Sequence, residues 1–305
     1  MAGGQERVLR RRIKSVQSTK KITKAMELIA ASRIVKAQQR VVAARPYSEQ
    51  ILQVLHHLSA GGAASVNPLL AAVPDADVQT VEYVVVAGDR GLCGGYNSSV
   101  IRQAEASIRA DMAAGRQIVL VTVGKKAQSY FRFRKYDIAA AINGAIDRPS
   151  YEDARIVAQE ILPRFAAGEI QRVQLLYTQF LSAGTQKVVE RRFLPLDAEA
   201  MGLSAADVTK DAADTAPKAD YEYEPDPTEI LDALLPRYVE ARIFGALLEA
   251  SASFFAAQQR AMASASDNAD ELITKLTRQR NRARQDSITT EIMEIVSGAE
   301  ALSTN

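Results

Sequence analysis

The sequence predicts a long antiparallel coiled coil made from the two ends of the chain, with a small α/β domain of mainly parallel sheet between them. Three observations carry this. Residues 7–42 and 246–302 repeat apolar side chains every three or four positions, contain no Pro, and are interrupted only by Gly298, the pattern of long helices without loops. From Ile288 the steps to Ile292, Ile295, Ala299 and Leu302 run four, three, four, three, which is the narrow seam of a coiled coil and not the wider stripe of a globular helix. Between the two ends, strand-like and helix-like segments alternate, as they do in α/β folds.

A helix over residues 246–302 reaches roughly 85 Å at about 1.5 Å per residue, longer than a small domain is wide. Helices from opposite ends of one chain, joined through a folded middle, pair antiparallel, and a strict period of 3.5 gives them a left-handed supercoil. Long helices packed on other helices in a bundle are the alternative that periodicity leaves open.

Composition narrows the classes. A hydrophobic fraction of 47% over 305 residues is enough to build a core, and no run of 18 apolar residues is present to span a membrane. A single cysteine, Cys93, excludes an internal disulfide and fits a reducing compartment. The net charge of +2 hides a polarity along the chain: residues 5–45 hold twelve Lys or Arg against two Glu, and residues 197–226 hold nine Asp or Glu against two Lys. A basic, acid-poor start can mark a transit peptide or a nucleic-acid surface. Here the periodicity runs unbroken past residue 30, no aromatic is interleaved with the cations before Tyr47, and no nucleic-acid module is visible. A solvated or partner-facing helix face is the reading that remains.

In the middle of the chain, Glu82–Ala87 reads as a β-branched strand followed by a glycine-rich turn from Gly88 to Asn97. Ser98 or Ser99 is placed to cap a helix reaching about Ala114, with Gly115 at its C-terminal end. Ile118–Val123 reads as a second buried strand. Ser150 with Asp153 forms a capping-box pattern for a helix through Phe165, closed by Gly168. Arg172–Thr178 and Lys187–Leu194 supply further strands. Glu229–Leu248 resumes helix, with Pro236 and Gly245 as joints, and from Met262 the expected seam runs through Ala265, Ala269, Leu272 and Leu276.

The glycine turn sits where phosphate binds in nucleotide folds. It lacks the Gly-Lys-Ser/Thr ending of a P-loop, and Gly91, Gly94 and Gly95 do not fit the dinucleotide spacing, so its glycines are read as structural. Cys93 is read as a buried thiol: the only histidines, His56 and His57, are adjacent on a helical stretch, and no Cys-His pair, Ser-His pair or zinc set is persuasive. Residues 197–226 read as a polar, acidic surface loop.

Ile13–Arg33 (IKSVQSTKKITKAMELIAASR), Asp89–Asn97 (DRGLCGGYN) and Ile288–Ala301 (ITTEIMEIVSGAEA) together look like the gamma subunit of an F-type ATP synthase. Thr289, Glu291, Glu294, Gly298 and Ala299 fill the diagnostic positions of the last stretch, and Tyr221–Glu240 resembles the family's approach to its C-terminal helix. The resemblance covers nearly the whole chain. It implies an antiparallel coiled coil of the terminal helices with a Rossmann-like α/β domain at its base. The corresponding division is residues 1–60 for the N-terminal helix, 78–196 for the α/β domain, 197–226 for an acidic loop and foot, and 227–305 for the C-terminal helix.

The implied function is mechanical. Such a subunit is a central-stalk rotor that couples turning of the c-ring to conformational cycling of the catalytic beta subunits, with no catalytic site, cofactor or metal of its own. The resemblance implies alpha, beta and epsilon subunits and the c-ring as partners, no nucleic acid, and a peripheral position on the cytoplasmic face of a bacterial plasma membrane. By position, Met26, Arg284, Gln285 and Thr289 match residues that face the beta subunits, and Tyr221, Tyr223 and Glu224 fall at the foot near epsilon and the c-ring. Five cations without an acid, Lys275, Arg278, Arg280, Arg282 and Arg284, support a partner surface where the apolar seam fades. Phe254 and Gln258 stand where many members have Glu and Arg, with Arg260 as a nearby substitute. An enzyme built on the α/β domain lacks a convergent set of reactive groups. A coiled-coil scaffold that never turns is excluded only by the resemblance.

Overall fold

In a computed structural model, residues 2–60, 67–71, 73–196 and 224–303 are described. By its contacts the chain forms two compact units, residues 1–31 with 258–305, and residues 32–257. Helix α1 (Ala2–Ala60) and helix α5 (Pro227–Ser303) contribute to both.

The first unit is an antiparallel helix pair. Its direction follows from two contacts: the Thr23 and Ser266 hydroxyls meet at 2.7 Å, and Lys20 Nζ lies 2.6 Å from Asp270 Oδ1. On α1 the shielded positions Glu6, Leu9, Ile13, Val16, Lys20, Thr23, Glu27 and Ala30 step by three and four throughout. On α5 the matching row is Met262, Ser266, Ala269, Ile273, Leu276, Arg280, Ala283 and Ser287. This is the 3.5-residue period of a coiled coil, but it is not the row expected at Ala265 and Leu272. The seam passes through Ser266 and Ile273 instead, and Leu272 is 38% exposed. Counting apolar residues alone misplaces the row because Ser266 belongs to it: its hydroxyl is satisfied by Thr23 and by the Met262 carbonyl, so burial costs little.

In the register of these contacts Ala2 stands opposite residues 287–288, and α5 continues past that point. The apolar row from Ile288 onward, expected as coiled-coil seam, has no helix beside it among the described residues. Ile288 is 44%, Ile292 54% and Ile295 71% exposed.

The second unit carries a five-stranded sheet in the order β3-β2-β1-β4-β5, with β1 Thr80–Val86, β2 Gln117–Val123, β3 Ala140–Ile142, β4 Arg172–Phe180 and β5 Gln186–Leu194. The pairs β1–β2, β1–β4 and β2–β3 are parallel, and β4–β5 is antiparallel. Strand β1 is central and buried on both faces, as its nearly unbroken apolar run requires. Val81, Tyr83, Val85 and Ala87 face α2 (Tyr96–Ala113) and α3 (Lys125–Phe133). Val84 and Val86 join the larger core built with α4 (Tyr151–Ala166), Ile34, Ile51 and Leu55 of α1, and residues 231–256 of α5.

The capping box of α4 is present in both directions, and Gly115 and Gly168 close their helices at φ +82 and +74. The N-cap position of α2 is Gly95, without a side-chain cap; Ser98, expected as a cap, lies inside the first turn and donates its hydroxyl to the Gly95 carbonyl. Helix α5 runs through Pro236 and Gly245 as one assigned helix.

Candidate functional site

The glycine-rich turn after β1 is a structural joint. The Gly88 amide donates to Asn97 Oδ1 at 2.7 Å, and Asn97 Nδ2 returns to the Arg90 carbonyl at 3.0 Å and to Cys93 Sγ at 3.1 Å. A Cβ on Gly88 would stand 2.9 Å from the Phe254 ring, so the absence of a side chain there admits α5. Gly94 takes φ +58, a conformation that costs glycine little. Asp89 reaches across the turn to accept from the amides of Lys125 at 3.2 Å and Gly144 at 2.9 Å, capping α3 from 36 positions away in sequence. Burial pushes the Cys93 thiol above its ordinary range, which keeps it protonated and unreactive.

Phe254 is 1% exposed and meets Tyr96 edge-on at a centroid distance of 5.5 Å and Phe255 at 5.4 Å. The Tyr96 hydroxyl donates to the Ala250 carbonyl at 2.9 Å. The departure at Phe254 is therefore a core contact between α5 and the glycine turn, and not an exposed polar catch.

The site residues expected to face partners divide into three groups. Arg284, Gln285 and Thr289 are exposed on α5, within two turns of one another. Met26 is half-buried on α1, and its place in the register opposite residues 263–264 puts it roughly 30 Å along the helix pair from Arg284 at about 1.5 Å per residue. Glu224 is exposed, while Tyr221 and Tyr223 lie outside the described residues. Of the five cations, Lys275, Arg278, Arg282 and Arg284 are exposed and Arg280 is half-buried. Among the described residues none of them pairs with a carboxylate.

Beyond the register position of Ala2, α5 exposes apolar side chains and carries no Lys or Arg, the five cations lying earlier, alongside α1. Ile292, Met293, Ile295 and Val296 are each more than half exposed, about two to three turns beyond Arg284 and Gln285. Their outward placement was hidden in the sequence, where the same spacing signals a seam. The arrangement offers dispersion contacts and hydrogen-bond donors to an enclosing surface. It offers no nucleophile with a base. Among the described residues no group of three or more His, Cys, Asp or Glu side chains is placed to hold a metal ion, and no helix is long and apolar enough to cross a membrane.

Comparison with known proteins places this architecture in context. The family model described as ATP synthase matches residues 5–302. The ATP synthase gamma chain of Frankia casuarinae is 47% identical over 303 residues, covering 98% of each chain. That of Mycolicibacterium smegmatis is 44% identical over 310 residues, covering 97% of each. Among solved structures, a chain of the Euglena gracilis mitochondrial ATP synthase, in its OSCP/F1/c-ring structure, superposes with a TM-score of 0.66 at 19% identity, covering 98% of this chain and 95% of that one. A chain of the Tetrahymena thermophila central stalk and c-ring gives 0.58 at 24% identity, covering 80% and 99%. At those identities the structures speak to the fold, and the sequence relatives to the family.

Proposed function

We propose a mechanical role from one premise: this chain belongs to the ATP synthase gamma-chain family. It is a central-stalk rotor subunit and not itself the catalytic subunit. Its work is to turn inside a ring of alpha and beta subunits while its foot rests on a c-ring, with an epsilon subunit beside it. Each face of the shaft then favours a different beta conformation. A shaft that bound all beta conformations equally would shift nothing, so the asymmetry of the surface is the mechanism.

The observation that carries this reading is the unpaired end of α5. Ile288, Ile292 and Ile295 are 44%, 54% and 71% exposed, with no described residue of α1 opposite them. Apolar surface is worth about 25 cal/mol per Å² when removed from water, so this end favours enclosure by other chains. A sleeve that holds an apolar shaft by dispersion alone lets it turn, because such contacts have no fixed direction. The directional contacts then belong to Arg284, Gln285 and Thr289, where hydrogen bonds to beta subunits form and break with each step. Met26 serves the same subunits at a second level. Tyr221, Tyr223 and Glu224, within the acidic stretch 197–226, serve the foot. The chain reaches the cytoplasmic face of a bacterial plasma membrane through the complex.

A reversible tether tests rotation. With Cys93 replaced by Ser, a cysteine at Gln285 is paired with one in the contacting beta loop and oxidised within the assembled complex. A disulfide needs Cα atoms within about 7 Å, so bond formation reads the contact and ATP hydrolysis reads the motion. Hydrolysis is expected to fall to near zero on oxidation and to return on reduction. Full activity with the bond intact overturns rotation at this interface.

A further inference from the structure

We propose that the α/β unit carries a binding site for a compact oligophosphate, in a basic recess apart from the residues assigned above to partner contacts. The recess encloses about 460 Å³, within the range of small-molecule sites, about 300–1,000 Å³. Its cations come from three places in the chain: Arg33, Lys36 and Arg40 of α1, Arg90 of the glycine turn, and Arg148 just before α4. The single carboxylate on its wall, Asp147, is already held by Arg90. Leu248 and Phe255 form an apolar floor, with the Arg33 guanidinium 5.3 Å over the Phe255 ring.

Charge balance is the argument. Arg33, Lys36 and Arg40 are spaced three and four apart, so their like charges share one helix face and repel by a few tenths of a kcal/mol per pair. A structural role would place carboxylates among them, and among the described residues no carboxylate pairs with Arg33, Lys36, Arg40 or Arg148. The Asp147 contact orients Arg90, whose remaining donors are free to point into the recess. Guanidinium groups match phosphate oxygens in pairs, and Arg33 stacked on Phe255 is already ordered, so less freedom is lost on binding. The five cations surround a volume that several closely spaced phosphates fill and that a single small anion does not. The backbone amides of the glycine turn take no part, since the Gly88 amide is occupied by Asn97.

Two sources share this chemistry, an inorganic polyphosphate and the phosphate tail of a nucleotide. The test is isothermal titration of the full chain with sodium pyrophosphate, and separately with ATP, both free of metal, at about 0.1 M salt. One saturable site per chain with submillimolar affinity is expected for at least one of them. ATP binding more than tenfold tighter assigns the site to nucleotides, and equal or weaker ATP binding assigns it to inorganic phosphates. Arg40→Gln with Arg148→Gln is expected to weaken binding at least tenfold, a loss of about 1.4 kcal/mol, with the near-ultraviolet circular dichroism of the tyrosines unchanged. Arg11→Gln with Arg12→Gln removes equal charge from the other unit and is expected to change affinity less than twofold. No saturable binding of either ligand up to 5 mM overturns the proposal, as does an equal loss in the Arg11 and Arg12 variant, which marks the binding as unspecific.

Discussion

Glu82→Gln measures what a buried carboxylate costs the α/β unit. Glu82 lies on central strand β1 with 0% exposure. Its Oε1 accepts from Arg164 Nη1 at 2.8 Å, and its Oε2 has no hydrogen-bond partner. Burial dominates and raises the carboxyl to about 7 from 4.5, against the opposing pull of Arg164 and with a further push from Glu160. The folded state therefore holds this proton more tightly than the unfolded chain. The sign follows: the stability contributed by the group is complete below about pH 4.5 and is lost as pH rises through about 7. The gap between 4.5 and about 7, at 1.36 kcal/mol for each tenfold in proton affinity, amounts to about 3 kcal/mol. Glutamine keeps the shape and the contact to Arg164 and does not titrate. The variant is therefore expected to match the wild type near pH 4 and to exceed it by about 3 kcal/mol at pH 8, some 2–4 °C of melting temperature per kcal/mol for a unit of this size. All ten tyrosines fall within residues 32–257, so their near-ultraviolet circular dichroism on heating reports this unit without interference from the helix pair. A gap between variant and wild type that stays constant from pH 5 to 8, or shrinks as pH rises, refutes the reasoning.

Two further outcomes follow from particular contacts. Gly124→Ala places a Cβ 2.0 Å from the Ala87 carbonyl oxygen at φ +97, so the joint between β2 and α3 must open; a loss of more than about 3 kcal/mol is expected in the same tyrosine signal, and a loss below about 1 kcal/mol contradicts the close approach. Arg284→Ala with Gln285→Ala removes exposed side chains with no ion pair among the described residues, so the isolated subunit is expected to melt within about 0.5 kcal/mol of wild type. In the assembled complex the same pair is expected to slow ATP turnover roughly tenfold or more, because a charge-assisted hydrogen bond is worth about 1.5–3 kcal/mol, and unchanged turnover removes these residues from the coupling contact.

Local chemistry made much of this protein legible in one dimension. The strands β1, β2, β4 and β5, the Ser150–Asp153 capping box, the helix-closing Gly115 and Gly168, and the helical periodicity of both termini depend on residues a few positions apart, and each was readable to within a few residues. The structural character of the glycine turn was readable too, because phosphate-binding loops need residue types this one lacks. Helix α3 and strand β3 were not seen: α3 opens on Gly124, and its cap is Asp89, 36 positions away. Ser266 joined the seam only because Thr23 stands opposite to satisfy its hydroxyl. Phe254 became a core residue only because Gly88 left room for its ring. The spacing of Ile288, Ile292 and Ile295 is that of a buried seam whether or not a partner is present, and only the antiparallel register shows that they lie beyond the residues opposite Ala2. Period and capping are properties of neighbours in sequence. Register, burial of a charge such as Glu82 and the gathering of cations from α1, the glycine turn and the approach to α4 are properties of neighbours in space, set by the packing of the whole chain.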